Sequence, residues 1–399
     1  MLRETAQIIF WLSLAALIYV YIGYPILVYL VSILRPLKIK KSAFLTDVTV
    51  IITAYNEERD IRAKLENTLQ IDYPKDKLEI LVASDCSNDK TDEIVKEFAA
   101  RGVKLHRQTE RLGKTMAQNA AVEKASGEII LFSDATTMYE KDVLQAMLPN
   151  FADKTVGCVA GKLIYVDDSS SNVGKGAKSY WNYETFIKKS ESRACSLIGA
   201  SGCLYAVRKS LYQPMYAEAC SDFLICTVVY RQGFRSVFEP TAVCIEETNR
   251  RTDKEIKMRV RVISQTFTDL WRNSAMINPL KSGFYAVQII SHKVLRYAVP
   301  LFLLFLLLSS AILAFSSIFF ALIFAVQFAF YSIALIGWLL ERRGKNVGIL
   351  AIPLYFVLTN LASLIGFYKF LRGENYASWE PIRAVKDKDK GTSAFNQTA

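Results

Sequence analysis

Three stretches of this chain contain no Lys, Arg, Asp or Glu: residues 6–34, 297–340 and 346–368, which are 29, 44 and 23 residues long. About 20 consecutive apolar residues cross the hydrocarbon core of a bilayer as a helix, so these lengths predict one, two and one crossings. Such runs exclude a purely water-soluble protein. The first is too long for a secretory signal peptide and lacks a small-residue cleavage pattern. A pure channel or carrier is also excluded, because residues 35–296 suffice for a domain with its own core.

That intervening block holds all seven cysteines (Cys86, Cys158, Cys195, Cys203, Cys220, Cys226 and Cys244), with no C-x-x-C pair. An odd count without paired spacing argues against a disulfide framework, and free thiols belong in a reducing compartment. Arg35, Lys38, Lys40 and Lys41 follow the first apolar run directly. By the positive-inside rule they place the block on the cytoplasmic side of a cell membrane that the chain crosses several times. The chain has only two histidines, His106 and His292, too few for a histidine-ligated metal centre or a His-based triad. A net charge of +11 raises nucleic acid as a partner. The positive residues gather instead at membrane edges and across residues 250–261, where an anionic leaflet attracts them. No nucleic-acid-binding signature is present, so the bilayer is the expected partner and nucleic acid is set aside.

Residues 8–34 read as one transmembrane helix kinked at Gly23 and Pro25. Beyond it, Asp47-Val48-Thr49-Val50-Ile51-Ile52-Thr53 is a β-branched run that ends in Ala54-Tyr55-Asn56-Glu57-Glu58. Leu78-Glu79-Ile80-Leu81-Val82-Ala83 ends at Ser84-Asp85, Val103-Lys104-Leu105 is a short strand, and Glu128-Ile129-Ile130-Leu131-Phe132 ends at Ser133-Asp134. Helices are predicted between them, near 60–69, 91–100 and 114–125. Strands alternating with helices of this length predict an α/β fold with a mostly parallel sheet. Ligands of such sheets bind at the carboxyl ends of the strands, where Asn56, Glu57, Asp85 and Asp134 fall. Further on, the pattern predicts strands over 156–166 and 204–207, a strand pair over 237–245, and helices over 174–192, 222–232 and 255–271. Residues 284–300 mix apolar side chains with His292, Lys293 and Arg296, as an interfacial amphipathic helix does. The expected organisation is a helix with a basic flank (1–40), a catalytic domain (41–275), an interface helix (276–296), about three transmembrane helices (297–371) and a polar tail (372–399).

Several residues could carry chemistry, each with a plainer alternative. Asp85 opens Asp85-Cys86-Ser87-Asn88-Asp89-Lys90-Thr91, which suits a carboxylate accepting from a nucleoside ring N–H or ribose hydroxyl, or an Asx-type turn. Asp134 could hold a divalent cation on a diphosphate, hard oxygen on hard metal, or cap a helix. Lys114, after Gly113 at a helix start, suits phosphate, without the spacing of a P-loop. Asp222 could take a proton from an attacking hydroxyl, or cap a helix. Arg259 or Arg261 could neutralise a leaving diphosphate, within a segment that otherwise reads as a solvated or membrane-facing helix. Trp181 could stack on a sugar, with buried packing as the ordinary alternative.

Taken in order, these residues resemble the membrane-integrated family 2 glycosyltransferases, which include synthases of poly-N-acetylglucosamine, chitin oligosaccharides, hyaluronan and cellulose. The resemblance runs through Thr53-Ala54-Tyr55-Asn56-Glu57-Glu58, the D-x-S-x-D-x-T segment from Asp85, Gly113-Lys114 with Asn119, and Ser133-Asp134-Ala135-Thr136. It continues through residues 199–202, Ser221-Asp222 and Arg259/Arg261. It implies a GT-A-like nucleotide-sugar domain between an N-terminal transmembrane helix and a C-terminal transmembrane bundle. It also implies an inverting transfer from a nucleotide sugar, UDP-linked, to a growing polysaccharide at the membrane. In that scheme Tyr55, Glu57, Asp85 and Asn119 contribute to the nucleotide-sugar site. Asp134 and Thr136 hold Mg²⁺ or Mn²⁺, Asp222 is the general base, and Lys114, Arg259 and Arg261 face the leaving diphosphate. Two departures stand out. Thr136 occupies the place of the second Asp of D-x-D, and Met258-Arg259-Val260-Arg261-Val262 stands where processive synthases carry Q-x-x-R-W. Two other functions are expected to compete with polymer synthesis: a single addition to a lipid-linked acceptor, and a non-catalytic nucleotide-sugar-binding scaffold. A nicotinamide-dependent dehydrogenase is disfavoured, because no G-x-G-x-x-G follows the first strand.

Overall fold

The computed structural model describes residues 1–166, 172–247, 252–345, 347–374 and 376. Its N-terminal helix α1 (Leu2–Leu34) is 33 residues long and apolar enough to cross a membrane. The kink expected at Gly23 and Pro25 takes the form of a π-helical turn at Tyr19–Gly23. Pro25 has no N–H to give to the preceding turn, and the wider turn accommodates it.

The catalytic block folds in the order β1 (Val48–Ala54), α2 (Ile61–Leu69), β2 (Leu78–Ser84), α3 (Thr91–Glu97), β3 (Val103–Arg107), α4 (Lys114–Lys124), β4 (Ile129–Asp134) and β5 (Met138–Tyr139). It continues with α5 (Val143–Met147), β6 (Val156–Val166), α6 (Asn172–Ala194), β7 (Tyr205–Arg208), α7 (Ser221–Arg231), β8 (Arg235–Glu247) and α8 (Thr252–Arg272). The strands form one mixed sheet in the order β3-β2-β1-β4-β7-β6-β8-β5. β1 lies parallel to both β2 and β4, with Thr53 opposite Asp134. Strand order therefore reverses between β1 and β4, and the crevice of an open α/β sheet lies at such a reversal, beyond the carboxyl ends.

Period-two alternation divides the core between the two faces. Val48, Val50, Ile52 and Leu131 pack with α2, α3 and α5, while Ile51, Ile130 and Phe132 pack with α4 and α7. Because both faces are covered, β1 is buried at all seven positions, which is why it reads as a continuous apolar and β-branched run. The strand pair expected over 237–245 is a single strand, β8, whose register against β6 shifts between Ala160 and Lys162. Pro240 lies in that irregular stretch and cannot donate to a ladder. All seven cysteines are free.

Three further helices, α9 (Phe284–Leu313), α10 (Ile318–Arg342) and α11 (Ala351–Leu371), complete the described chain. α1, α9, α10 and the segment containing α11 are each long and apolar enough to cross a membrane. The interface segment expected over 276–296 is divided. A 3₁₀ turn (Ser274–Ile277) and a short helix (Pro279–Ser282) precede Gly283, after which the chain runs helically into α9 without a break. A buried polar cluster ties the catalytic domain to these helices. Glu191 of α6 accepts from Tyr24 of α1 and lies 2.8 Å from His292 Nδ1, while Glu184 lies 2.7 Å from Arg296 Nη1. Buried charges persist where they are paired in this way. α11 packs along α8: Phe267 meets Phe367 and Phe370, Arg259 donates to Tyr355, and Gln265 Nε2 reaches the Tyr376 carbonyl at 2.8 Å. The expected polar tail lies outside the described residues beyond Tyr376.

Candidate active site

The first two strand ends are held in unusual backbone conformations. Asn56, after β1, and Cys86, after β2, have φ of 56° and 58°, the left-handed region that non-glycine residues seldom occupy. Asn56 is locked there by its side chain, which accepts from Asn88 N at 2.8 Å, and by its own N–H, which donates to Ser87 Oγ at 3.1 Å. Thr91 Oγ1 receives Glu57 N at 2.7 Å. The loops after β1 and β2 thus form one hydrogen-bonded unit. It presents Tyr55, whose ring carries the Arg111 guanidinium at 3.9 Å, and the buried Glu57.

Asp85 is fully buried. It accepts from Leu112 N (2.9 Å) and from Gly113 N at both oxygens (3.1 and 3.0 Å). Burial raises its pKa, and these backbone donors oppose the rise. Gly113 adopts φ 95°, which glycine reaches without steric cost, and this turn starts α4 at Lys114. Asp85 therefore positions the lysine, whatever further contact it makes.

Lys114 reaches across the crevice and pairs with Asp134 Oδ1, to which Thr53 Oγ1 also donates. A Cβ on Gly202 would lie 3.2 Å from Asp222 Oδ2 and 3.5 Å from Lys114 Nζ, so the lysine stands between the two aspartates. Burial works to lower its pKa, but Asp134 and Asp222 outweigh burial and hold the ammonium above its ordinary value. Asp222 occupies the first turn of α7, where Oδ1 accepts from Phe223 N at 3.0 Å. The N-cap position of α7 is Cys220, so Asp222 is not the cap residue that the plainer reading offered.

Arg259 and Arg261 separate, because residues two apart point to different sides of a helix. Arg259 pairs with Tyr355 on α11. Arg261 has a buried Nε with no hydrogen-bond partner among the described residues. Its pKa is lowered by burial against the opposing pull of Cys220, Asp134 and Asp222, so it faces the crevice. Asn119 does not join them, which corrects the expectation from sequence. Its Nδ2 donates to Met215 O (2.7 Å), and its Oδ1 accepts from Tyr212 Oη (2.8 Å) and Met215 N (3.1 Å). The amide is committed to bolting the 212–215 segment onto α4. The side chain of Trp181 lies outside the described residues.

Three residues were not singled out from the sequence. Asp269 on α8 accepts from Cys220 N at 3.1 Å and from Tyr216, fixing the entry to α7. Burial pushes its pKa up to about 8. Buried Lys64 donates to Thr137 O at 2.7 Å and lies 3.5 Å from the Tyr139 ring, bracing the loop after Asp134. Burial drops its pKa to about 7. Glu246, near the end of β8, lies 3.4 Å from Thr136 Oγ1. Its only sequence signal is an acidic pair, Glu246-Glu247, directly after an apolar strand.

The sheet order, with acidic groups at the reversal, defines a GT-A-like glycosyltransferase fold. A solved mannosyltransferase from Pyrobaculum calidifontis, PcManGT in complex with GDP-Man and Mn²⁺, superposes with a TM-score of 0.69 over 94% of this chain and 100% of its own, at 22% identity. The family model for glycosyl transferase family 2 matches residues 49–215, so this chain is a glycosyltransferase that carries a family 2 domain there. It is 25% identical to a poly-beta-1,6-N-acetyl-D-glucosamine synthase of Staphylococcus epidermidis over 83% of this chain and 86% of the synthase. It is also 28% identical to the probable glycosyltransferase YdaM of Bacillus subtilis, over about half of each chain (51%).

Proposed function

We propose that this enzyme transfers a sugar, with inversion, from a UDP-sugar to a saccharide acceptor at the membrane, in the synthesis of a cell-surface polysaccharide. The observation that carries the reading is Lys114 held between Asp134 and Asp222, with the unpartnered Arg261 Nε facing the same crevice. Two cations converge where a diphosphate would lie, and the Asp222 carboxylate stands beside them, toward the acceptor.

In this mechanism Tyr55, Glu57 and Asp85 form the nucleoside end of the site. Asp222 takes the proton of the acceptor hydroxyl as its oxygen attacks C1 of the sugar. The bond from C1 to the phosphate oxygen breaks on the opposite face, and its electron pair leaves with the diphosphate. Lys114 and Arg261 are already aimed at that growing charge, so they stabilise the transition state without reorganising. The oxygen donors Asp134 and Thr136 fit Mg²⁺ or Mn²⁺, hard ions bound by a few protein oxygens together with substrate phosphates. Such an ion would neutralise part of the diphosphate charge. Among the described residues no three His, Cys, Asp or Glu converge.

The contacts of α11 support a further point of topology. Tyr355 and Tyr376, near opposite ends of the segment, both touch α8 of the catalytic domain. We read α11 as lying along the membrane face of the domain while α9 and α10 cross, so the tail returns to the catalytic, cytoplasmic side. A peptide tag after Ala399 should then be shielded in intact cells; labelling from outside would overturn this topology.

The test of function is incubation of the purified membrane protein with a panel of UDP-sugars, and GDP-mannose, in the presence of Mg²⁺ or Mn²⁺. Release of UDP from one donor with a ladder of lengthening products supports the reading. A single product on a lipid-linked acceptor would replace polymer synthesis by single addition. No nucleotide release from any donor would overturn the proposal.

A further inference from the structure

Glu246 takes no part in the mechanism above, yet the fold carries it into the crevice. β5 pairs antiparallel with β8, Met138 opposite Ile245 and Tyr139 opposite Cys244. This pairing brings Glu246 beside the loop that follows Asp134, and Thr136 Oγ1 lies 3.4 Å from Glu246 Oε1. Alternation along β8 puts Cys244 and Glu246 on the same face. Cys244 Sγ is 3.3 Å from Cys203 Sγ, and Cys203 adjoins Gly202, the residue next to Lys114 and Asp222. Glu246 therefore lies on the wall of the crevice that carries Thr136 and Asp134.

Charge in this corner is unbalanced. Glu246 lies close enough to Asp134 and to Lys114 to feel the charge of both. Lys114 and Thr53 both approach Asp134 at Oδ1. Arg261, near Asp134 and Asp222, has a buried Nε with no hydrogen-bond partner among the described residues. Asp134 and Glu246 share the single ammonium of Lys114, and Arg261 Nε lacks a hydrogen-bond acceptor among the described residues. A divalent ion bound to a diphosphate would add positive charge beside the two carboxylates and bring an acceptor to the arginine.

We propose that Glu246 provides the second protein carboxylate for the divalent cation of the nucleotide-sugar site, opposite Asp134 and Thr136, in place of the acidic residue that Thr136 replaces. This inference rests on the nucleotide-sugar reading given above. It adds that the ion is held from two distant strands, β4 and β8, so that closing the β5–β8 ladder completes the site.

The experiment titrates Mn²⁺ into the purified full-length protein with saturating UDP, following loss of the free-ion signal by electron paramagnetic resonance. UDP affinity without metal and thermal melting are measured on the same samples. Glu246→Gln should weaken Mn²⁺ binding by about 10–100-fold, the range seen when groups around a metal are lost, with metal-free UDP affinity unchanged. Glu246→Asp, which keeps the charge but withdraws the donor, should show a smaller loss and serves if the Gln variant does not fold. Wild-type Mn²⁺ affinity in a folded Glu246→Gln or Glu246→Asp protein overturns the inference and leaves the transferase reading intact. Normal Mn²⁺ affinity with turnover lost assigns Glu246 to proton transfer and overturns it equally. Wild-type protein that binds neither UDP nor Mn²⁺ overturns the nucleotide-sugar reading, and the inference with it.

Discussion

Replacing Lys114 by Met keeps most of the side-chain length and removes only the ammonium, and the structure separates two consequences. In the resting enzyme Asp134 loses an ion-pair partner. Both side chains keep some exposure, 26% for Lys114 and 33% for Asp134, so solvent screens the loss and the stability cost is about 1 kcal/mol. That corresponds to a fall in Tm of roughly 2–4 °C for a domain of this size. In the transition state the departing diphosphate gains charge where the ammonium stood. Removing one preorganised donor at such a position lowers kcat by about 10²–10³, or about 3–4 kcal/mol. The kinetic effect thus exceeds the stability effect severalfold in free energy. Initial rates of UDP release at saturating donor, with melting curves on the same preparation, distinguish them. We expect kcat to fall by at least about 100-fold while donor KM stays within about threefold, the pattern of an interaction made mainly in the transition state. A Lys114→Met enzyme that keeps a fifth of wild-type kcat, or that loses activity only in step with Tm, would refute the placement of Lys114 at the leaving group.

Arg261→Ala should lower kcat by about 100-fold or more, whereas Arg259→Ala should leave the chemical step near wild type and lower Tm by loosening α8 from α11; equal kinetic losses would contradict the separation of the two arginines. Asn119→Ala leaves Met215 N and O without partners and should cost about 2–4 kcal/mol of stability, read as a lowered melting midpoint with UDP affinity unchanged; weakened UDP binding in a folded variant would return Asn119 to the site. Burial lets Asp269 hold its proton up to about pH 8 in the fold, well above the ordinary range of an aspartate. The folded state therefore binds more protons across that window, and stability falls as pH rises from about 4 to 8, being unaffected below it. Asp269→Asn should flatten this part of the Tm-against-pH curve, and an unchanged slope would show that other groups set it.

Much of the fold was legible because it is written in short-range pattern. Runs without charge announce membrane-length helices, and β-branched stretches ending in polar residues announce parallel strands with a crevice at their carboxyl ends. Asp85, Asp134, Lys114 and Asp222 could be singled out for that reason: each sits where a strand stops or a helix starts, and such boundaries depend on nearby residues. The sheet reversal between β1 and β4 then gathers Lys114, Asp134 and Asp222 into one crevice.

Tertiary structure decided what depends on residues far apart in the chain. Nothing near Asn119 reveals that its amide is taken up by Tyr212 and Met215 almost a hundred residues later. Arg259 and Arg261 look equivalent in sequence, and only the docking of α11 sorts one to a tyrosine and leaves the other facing the crevice. Glu246 and Asp269 carry no local motif, because their neighbours come from the β5–β8 ladder and the packing of α8 on α7. Sequence by itself determined which segments become strands, helices and apolar spans, since those follow from periodicity and charge within a few residues. Which polar groups meet in the crevice, and which are consumed in holding it together, was decided by packing, because a hydrogen bond or ion pair is settled by distance in space.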